Sequence, residues 1–252
     1  MACYSPLKGF QIGVTDNGKP DYLITSYKAD HVEIDSKGKS IVAYTKDRSP
    51  YCFTYLTEWI EIPCGKCIGC RLNYSRIWAD RCMAEAKEHK SNYFVTLTYD
   101  NDNVPISEYI DNNGTYNKIM SLKKRDVQLF MKRLRKNYSY DNKIRFFLAG
   151  EYGTDTARPH YHLILFGLIL DDLQMYKRTS TGFNLYNSDF LNATWKKGHV
   201  VVADVTWETC AYTARYIMKK QKGSGSKIYD DLNIEPEFTL MSRKPGIAEL
   251  TA

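Results

Sequence analysis

The stretch RPHYHLILFG, residues 158–167, sets His160 and His162 two residues apart in a strand-like apolar run. Side chains alternate along a strand, so both imidazoles project from one face and Tyr161 from the other. Two imidazoles at this separation can bind a single metal ion. The preceding run, IRFFLAGEYG, offers Glu151. If the two runs form a tight hairpin around TDTA, the Glu151 carboxylate lies across from the histidines on the same face. Two imidazoles and one carboxylate suit Mg²⁺ or Mn²⁺, with positions left open for a substrate oxygen. An isolated His-x-His also occurs on ordinary surface strands, so the reading needs a second signal.

That signal is YTARYIMKK. Tyr212 and Tyr216 are four apart, one turn above each other on a helix face, and Lys219 follows three residues later on the same side. Tyrosine pairs at this spacing also pack ordinary helices; their combination with the histidine strand is the more specific feature. A third cluster is CGKCIGC at 64–70, where Cys64, Cys67 and Cys70 are spaced for a tight turn around one ion. Three thiolates are one short of a closed structural Zn²⁺ site. Cys3, near an otherwise unanchored terminus, is the best fourth ligand. An iron–sulfur cluster takes the same four thiolates, and free buried thiols are the plain alternative. Cys82 falls on the apolar face of a helix, while Cys52 and Cys210 have no partner at ligand spacing.

The 252 residues are enough to bury a sizeable core, and the net charge of +6 favours an anionic partner. The start MACYSPLKGF lacks a signal-peptide pattern, and no stretch reaches the roughly 18 apolar residues of a membrane span. A soluble, intracellular protein is expected, in a compartment where clustered cysteines point to metal before disulfide. Gly38-Lys39-Ser40 ends like a phosphate-binding loop, but Glu33 stands where the first glycine belongs, so it reads as a turn.

These groups need elements to hold them. Residues 1–63 read as short strands and turns, 71–90 as a helix with Trp78, Cys82 and Ala86 on one face, and 93–100 as a strand. A polar loop containing DNNG follows. Leu122 to Asn137 is an amphipathic helix with Val127, Phe130, Met131 and Leu134 at core spacing and seven Lys or Arg on its other faces. Beyond the two central strands come a short helix at 189–197, a strand at 199–206 and a helix at 208–222 stopped by GSGS. Strands interleaved with helices, two of them joined by a hairpin, give an α+β fold with a central, mainly antiparallel sheet flanked by helices. The expected division is 1–90 (Cys-rich element and helix), 91–222 (core) and 223–252 (tail). His31, His89 and His199 are isolated and read as structural or exposed.

In order along residues 63–247, PCGKCIGCRLNYSRIWADRC, YFVTLTYD, GEYG, RPHYHLILFG, YTARYIMKK and FTLMSRKPGI resemble the HUH endonucleases, the rolling-circle replication initiators. More narrowly, they resemble the initiators of gokushovirus-type microviruses, phages with single-stranded circular DNA. One departure is Tyr161 at the normally hydrophobic centre of the triplet; it faces away from the metal side, so no loss of chemistry is expected.

The resemblance implies an HUH, RRM-like sheet and a role for each matching residue. His160, His162 and Glu151 hold Mg²⁺ or Mn²⁺, Tyr212 and Tyr216 are the nucleophiles, and Lys219 positions the scissile phosphate. Thr96 and Thr98 contact DNA or shape the sheet. Early cysteines in such proteins support Cys3 in a structural Zn²⁺ site with Cys64, Cys67 and Cys70. Arg158 and Lys220 are expected DNA contacts, and Tyr138, Tyr140 and Tyr152 candidates for stacking on bases. The implied activity is nicking and rejoining of a single-stranded origin through a 5′-phosphotyrosine, releasing a 3′ hydroxyl. Partners would be origin DNA and the host polymerase and helicase, in the host bacterial cytoplasm, with no membrane and no small-molecule substrate. A plasmid relaxase or transposase would share the chemistry. A zinc-containing nucleic-acid-binding protein without catalysis would share only the binding.

Overall fold

A computed structural model describes residues 3–180, 182–216, 220 and 223–249. The chain forms two compact units, Met1–Tyr74 and Ser75–Ala252. The division falls inside the first helix, so the large unit begins before residue 91.

The first unit holds six short strands in two antiparallel three-stranded sheets. One is β1 (Leu7–Val14), β2 (Pro20–Ser26) and β6 (Ile60–Ile62); the other is β3 (His31–Asp35), β4 (Ser40–Ala43) and β5 (Cys52–Leu56). Phe10, Ala29 and Val32 form its small core. Gly38-Lys39-Ser40 lies at the β3–β4 turn: Asp35 accepts from the amides of Lys37 and Lys39 at 2.8 and 2.9 Å, and Gly38 takes the left-handed φ of +76°. His31 is buried between Asp30 and Glu33, at 3.0 and 3.2 Å, and is structural.

Helix α1 (Ile68–Lys87) runs across the division. The large unit then contributes β7 (Asn92–Tyr99), β8 (Ile106–Ile110), β9 (Tyr116–Met120), α2 (Lys124–Asn137), β10 (Arg145–Tyr152) and β11 (Pro159–Phe166). After these come β12 (Gln174–Arg178), β13 (Asn184–Asn187), α3 (Asp189–Trp195), β14 (Gly198–Asp204), α4 (Trp207–Arg215), α5 (Lys227–Asp231) and β15 (Phe238–Met241). Seven strands make one antiparallel sheet in the order β12-β13-β14-β7-β11-β10-β15. The expected α+β class with a large antiparallel sheet is what the chain adopts. No helix among the described residues is long and apolar enough to cross a membrane.

The alternation along each central strand divides this sheet into two differently used faces. Val95, Leu97, Leu163, Leu165 and Leu148 point to one side, where Val127, Phe130, Met131 and Leu134 of α2 cover them with Trp195 of α3. Each fully buried side chain of this kind contributes roughly 1.5–3 kcal/mol, enough to fix α2 to the sheet without a side-chain cap on Lys123. Its first amides are capped from elsewhere: Lys123 N–H donates to the Tyr161 hydroxyl at 2.9 Å and Lys124 N–H to the Glu235 carboxylate at 2.8 Å.

On the other side, Phe147, Ile164 and Phe166 pack under Trp78, Ala79 and Cys82 of α1 and Cys210 and Ala214 of α4. Thr206 caps α4 through a reciprocal capping box with Thr209, a device typically contributing about 1 kcal/mol. This fixes where the tyrosine-bearing helix starts on the sheet.

Three pairing elements went unread in the sequence. The polar DNNG loop is the tip of the β8–β9 hairpin, and β12 and β13 form another. Both are largely solvated, β12 throughout its length, so neither shows the apolar alternation that marks a half-buried strand. The tail supplies β15, which pairs with β10 and closes that edge.

Candidate active site

The β10–β11 hairpin has the register that its sequence suggested: Glu151 faces His160 and Ala149 faces His162. On the other flank of β11, Thr98 of β7 faces His160 and Thr96 faces His162. Directly opposed residues share a sheet face, so the two histidines, Glu151 and both threonines project together.

Each imidazole is held from behind. Thr96 Oγ1 lies 3.1 Å from His162 Nδ1, and Thr98 Oγ1 lies 3.1 Å from His160 Nδ1. In the tautomer that donates from Nδ1 to the hydroxyl, Nε2 keeps its lone pair for a ligand, an arrangement typical of supported metal-binding histidines. His162 Nε2 lies 3.0 Å from Glu151 Oε1, both residues being buried. A Cβ on Gly153 would stand 3.2 Å from His160 Nε2, so the glycine keeps the space beside that nitrogen clear.

This donor set fits a divalent cation in its chemistry: two oriented imidazoles and one anionic oxygen on a single face. Its spacing is looser than that of an assembled centre. Among the described residues, only the cysteine set brings three or more His, Cys, Asp or Glu ligand atoms within 4.8 Å of one another. His162 and Glu151 are in contact, and His160 stands further off.

Helix α4 brings the tyrosines to the same place. The Tyr216 ring stacks on His162 at 4.8 Å between centroids and Tyr212 meets it edge-on at 5.1 Å; the two tyrosines are 4.9 Å apart. They are not equivalent. Tyr212 keeps 40% of its surface exposed and Tyr216 only 6%. Burial, a hydrogen bond with Tyr212 and the Glu151 charge hold the Tyr216 hydroxyl well above the usual phenol range. The Arg215 guanidinium lies 5.9 Å from the Tyr212 ring centre, a cation beside the exposed phenol that sequence spacing did not single out.

Of the remaining expected site residues, Lys219 lies outside the described residues. Lys220 is exposed. Arg158 donates to Asn101 Oδ1 at 3.2 Å at the open end of the histidine strand. Tyr161 faces away from the histidines as expected and is fully buried: it pairs with Tyr99 at 2.8 Å and donates to the Lys123 carbonyl at 3.1 Å. Two stacking candidates carry structural bonds instead. Tyr152 donates to the Glu235 carbonyl at 2.6 Å, and Tyr138 accepts from the Ile169 amide at 2.9 Å. The basic helix α2 covers the sheet face opposite the histidines.

In the first unit, Cys3, Cys64, Cys67 and Cys70 form the one cysteine group whose sulfurs all lie within 4.8 Å of each other, among the described residues. The Cys3–Cys67 and Cys64–Cys70 sulfurs are 3.9 and 4.0 Å apart. A tetrahedral Zn²⁺ with Zn–S bonds of about 2.3 Å has sulfur–sulfur edges of about 3.8 Å. Backbone amides point at the sulfurs: Cys67 N and Lys66 N at Cys64 Sγ (3.3 and 3.4 Å), Cys70 N and Tyr4 N at Cys67 Sγ (3.4 Å each), and Cys64 N at Cys3 Sγ (3.3 Å). The Cys70 and Tyr4 amides hold the Cys67 thiol down at about 6, and those of Cys67 and Lys66 lower Cys64. Burial, followed by its thiol neighbours, pushes Cys70 up to about 12. Two sulfurs are thus prepared as thiolates and the set can hold a metal ion.

The model of the replication-associated protein ORF2 family matches residues 92–221. Replication-associated protein ORF2 of Spiroplasma virus 4 is 35% identical over 74% of the chain and 56% of that protein. Replication-associated protein VP4 of Bdellovibrio phage phiMH2K is 33% identical over 67% of the chain and 51% of that protein. Replication-associated protein ORF4 of Chlamydia phage 1 is 35% identical over 63% of the chain and 38% of that protein. The chain therefore spans about half the length of the first two curated relatives. No solved structure matches it.

Proposed function

Because the chain belongs to the replication-associated protein ORF2 family, we propose that it starts rolling-circle replication as a two-tyrosine HUH endonuclease, nicking and rejoining single-stranded origin DNA. The observation that carries this reading is the packing of Tyr212 and Tyr216 around His162 on the face that also holds His160 and Glu151. Two phenols and a metal-type donor set at one point of a sheet match the needs of phosphoryl transfer to protein and back.

His160, His162 and Glu151 would hold Mg²⁺ or Mn²⁺, which when bound polarises a non-bridging phosphate oxygen and offsets the charge that develops on it. Thr96 and Thr98 keep the two imidazoles turned to that task. Tyr212, the exposed ring, attacks first. Its oxygen bonds to phosphorus and loses its proton, the bond from phosphorus to the 3′ oxygen breaks, and that oxygen takes up a proton. The products are a 5′-phosphotyrosine and a free 3′ hydroxyl. The link conserves the energy of the broken bond, so rejoining needs no nucleotide triphosphate. Tyr216, one helical turn on, acts in the second transfer while Tyr212 is occupied. Lys219 steadies the phosphate; Arg158 and Lys220 hold the strand to either side. The host polymerase extends the 3′ end in the bacterial cytoplasm, with a host helicase opening the duplex.

The four-cysteine set binds structural Zn²⁺ in this reading, tying Cys3 and the start of the chain to the turn that opens α1. The sulfur spacing and the inward amides support that assignment.

The test of the whole is covalent capture. Wild-type protein should form an adduct with single-stranded origin DNA that survives boiling in denaturant, and the Tyr212→Phe/Tyr216→Phe protein none. DNA binding without any adduct in the wild type would favour a zinc-containing binding protein without catalysis.

A further inference from the structure

His199 looks isolated in the sequence, 37 residues from His162. The sheet order removes that distance. Strand β14 pairs with β7 on the side away from β11, with His199 directly opposite Thr98. Thr98 is itself opposite His160, and His160 opposite Glu151. One register row thus reads His199, Thr98, His160, Glu151 across four strands, all on the face of the candidate site. Neighbouring strands lie about 4.8 Å apart, which sets the His199 Cα about 10 Å from that of His160.

The local backbone is built for this placement. Gly198 takes φ +143°, and a Cβ there would collide with the Thr98 carbonyl and the Asp100 amide. The glycine thus lets the start of β14 press against the end of β7, and His199 is the first side chain that it presents. The ring is exposed and not spent in the core. The nearby Asp100 carboxylate is engaged by Asn103, whose amide N–H and Nδ2 donate to it at 2.8 to 3.0 Å. Arg158, tied to Asn101 next to Asp100, brings a cation to the same open end.

We propose that His199 is a further substrate-contacting residue, whose imidazole hydrogen-bonds the phosphate next to the one being cut. The strand then crosses the sheet along the row from Glu151 to His199, and the second contact fixes which phosphate reaches the tyrosines. This inference rests on the nicking reading, since it assigns the path of that substrate.

The experiment uses the full chain and an origin oligonucleotide that the wild-type protein cuts, with each linkage flanking the cut replaced in turn by neutral methylphosphonate. Adduct formation is followed in single turnover over a range of DNA concentrations. His199→Ala should raise the half-saturating DNA concentration about tenfold, the cost of one charge-assisted hydrogen bond, and leave the rate at saturation within about twofold, because it makes no contact with the reacting atoms. His199→Gln, which keeps a donor, should recover part of the loss. At one flanking linkage, methylphosphonate should weaken wild-type binding by a similar factor and His199→Ala no further. Additive losses at both linkages, or a wild-type half-saturation point in His199→Ala, would overturn the proposal while the nicking reading stands. A wild-type protein that forms no adduct on any origin oligonucleotide would overturn both.

Discussion

The Tyr216 ring lies on the His162 imidazole with centroids 4.8 Å apart and planes 10° from parallel. This stack gives the two tyrosines different starting states. Tyr216 is covered and its proton held tightly; Tyr212 stands at the rim with Arg215 beside it. Tyr212→Phe should slow the first covalent capture about 10³-fold or more, the scale of losing a nucleophile. Tyr216→Phe should form the first adduct readily and fail at the second transfer, visible as adduct that accumulates without ligated circles. Equal losses of the first adduct in both variants would contradict the assignment.

Thr96 and Thr98 were candidate DNA contacts in the sequence. Their hydroxyls instead meet the Nδ1 atoms of His162 and His160. Replacing either by valine keeps the shape and removes the hydrogen bond. Supporting partners of metal-binding histidines typically matter by about 10–100-fold in metal affinity or activity. Titrating Mn²⁺ against adduct formation should show the half-effective metal concentration raised by that order in Thr96→Val and Thr98→Val, with DNA affinity unchanged. Weaker DNA binding at unchanged metal dependence would return these residues to the DNA-contact role.

The chemistry was legible where it was local. Glu151 meets its histidines because a short hairpin fixes register, and the cysteines meet because three lie within seven residues. What escaped depends on strand order. Nothing in a linear reading places β14 beside β7, so His199 passed as an isolated residue, and nothing shows that α2 covers the face away from the histidines. Solvated hairpins escaped because strands wet on both faces carry no apolar period, as in β12. Arg215 escaped for another reason: between two tyrosines it reads as ordinary helix surface until its guanidinium is seen over Tyr212.

The cysteine set makes its own prediction. Purified protein should contain equimolar zinc and no iron. Cys67→Ser, which removes the sulfur most strongly prepared as a thiolate, should release the metal and lower the melting temperature, because binding free energy at such a site is also folding free energy. A chelator should lower the wild-type melting temperature to that of the variant. Protein that is metal-free as purified and indifferent to chelator would contradict the zinc assignment.

In the large unit, Glu85 anchors the segment after β15. Its carboxylate pairs with Arg145 and accepts from the Ala248 amide at 2.7 Å, while Arg145 and Arg81 donate to the carbonyls of Gly246 and Ile247. Burial works against the charge, but the Arg145 hydrogen bond, the Ala248 amide and His89 outweigh it and hold the Glu85 carboxyl below its usual range. A lowered carboxyl stabilises the fold fully above the unfolded-state value, about 4.3. That contribution is lost as the pH falls through the folded-state value, because the unfolded chain then binds the extra proton. Glu85→Gln should cost about 3 kcal/mol at neutral pH, as expected for breaking a buried pair, and flatten the fall of melting temperature below about pH 4. Parallel pH curves for the two proteins would show that Glu85 is not the group responsible.

The most direct test of the account asks which side of the cut stays on the protein. A single-stranded origin oligonucleotide is labelled at either end, incubated with the protein and Mn²⁺, boiled in denaturant and run on a gel. Attack by a tyrosine on the 5′ side of the new break predicts that the 3′-labelled fragment migrates with the protein. The 5′-labelled fragment should run free, ending in a hydroxyl that a polymerase can extend. Fragments that both run free, or a 5′ label retained on the protein, would contradict it.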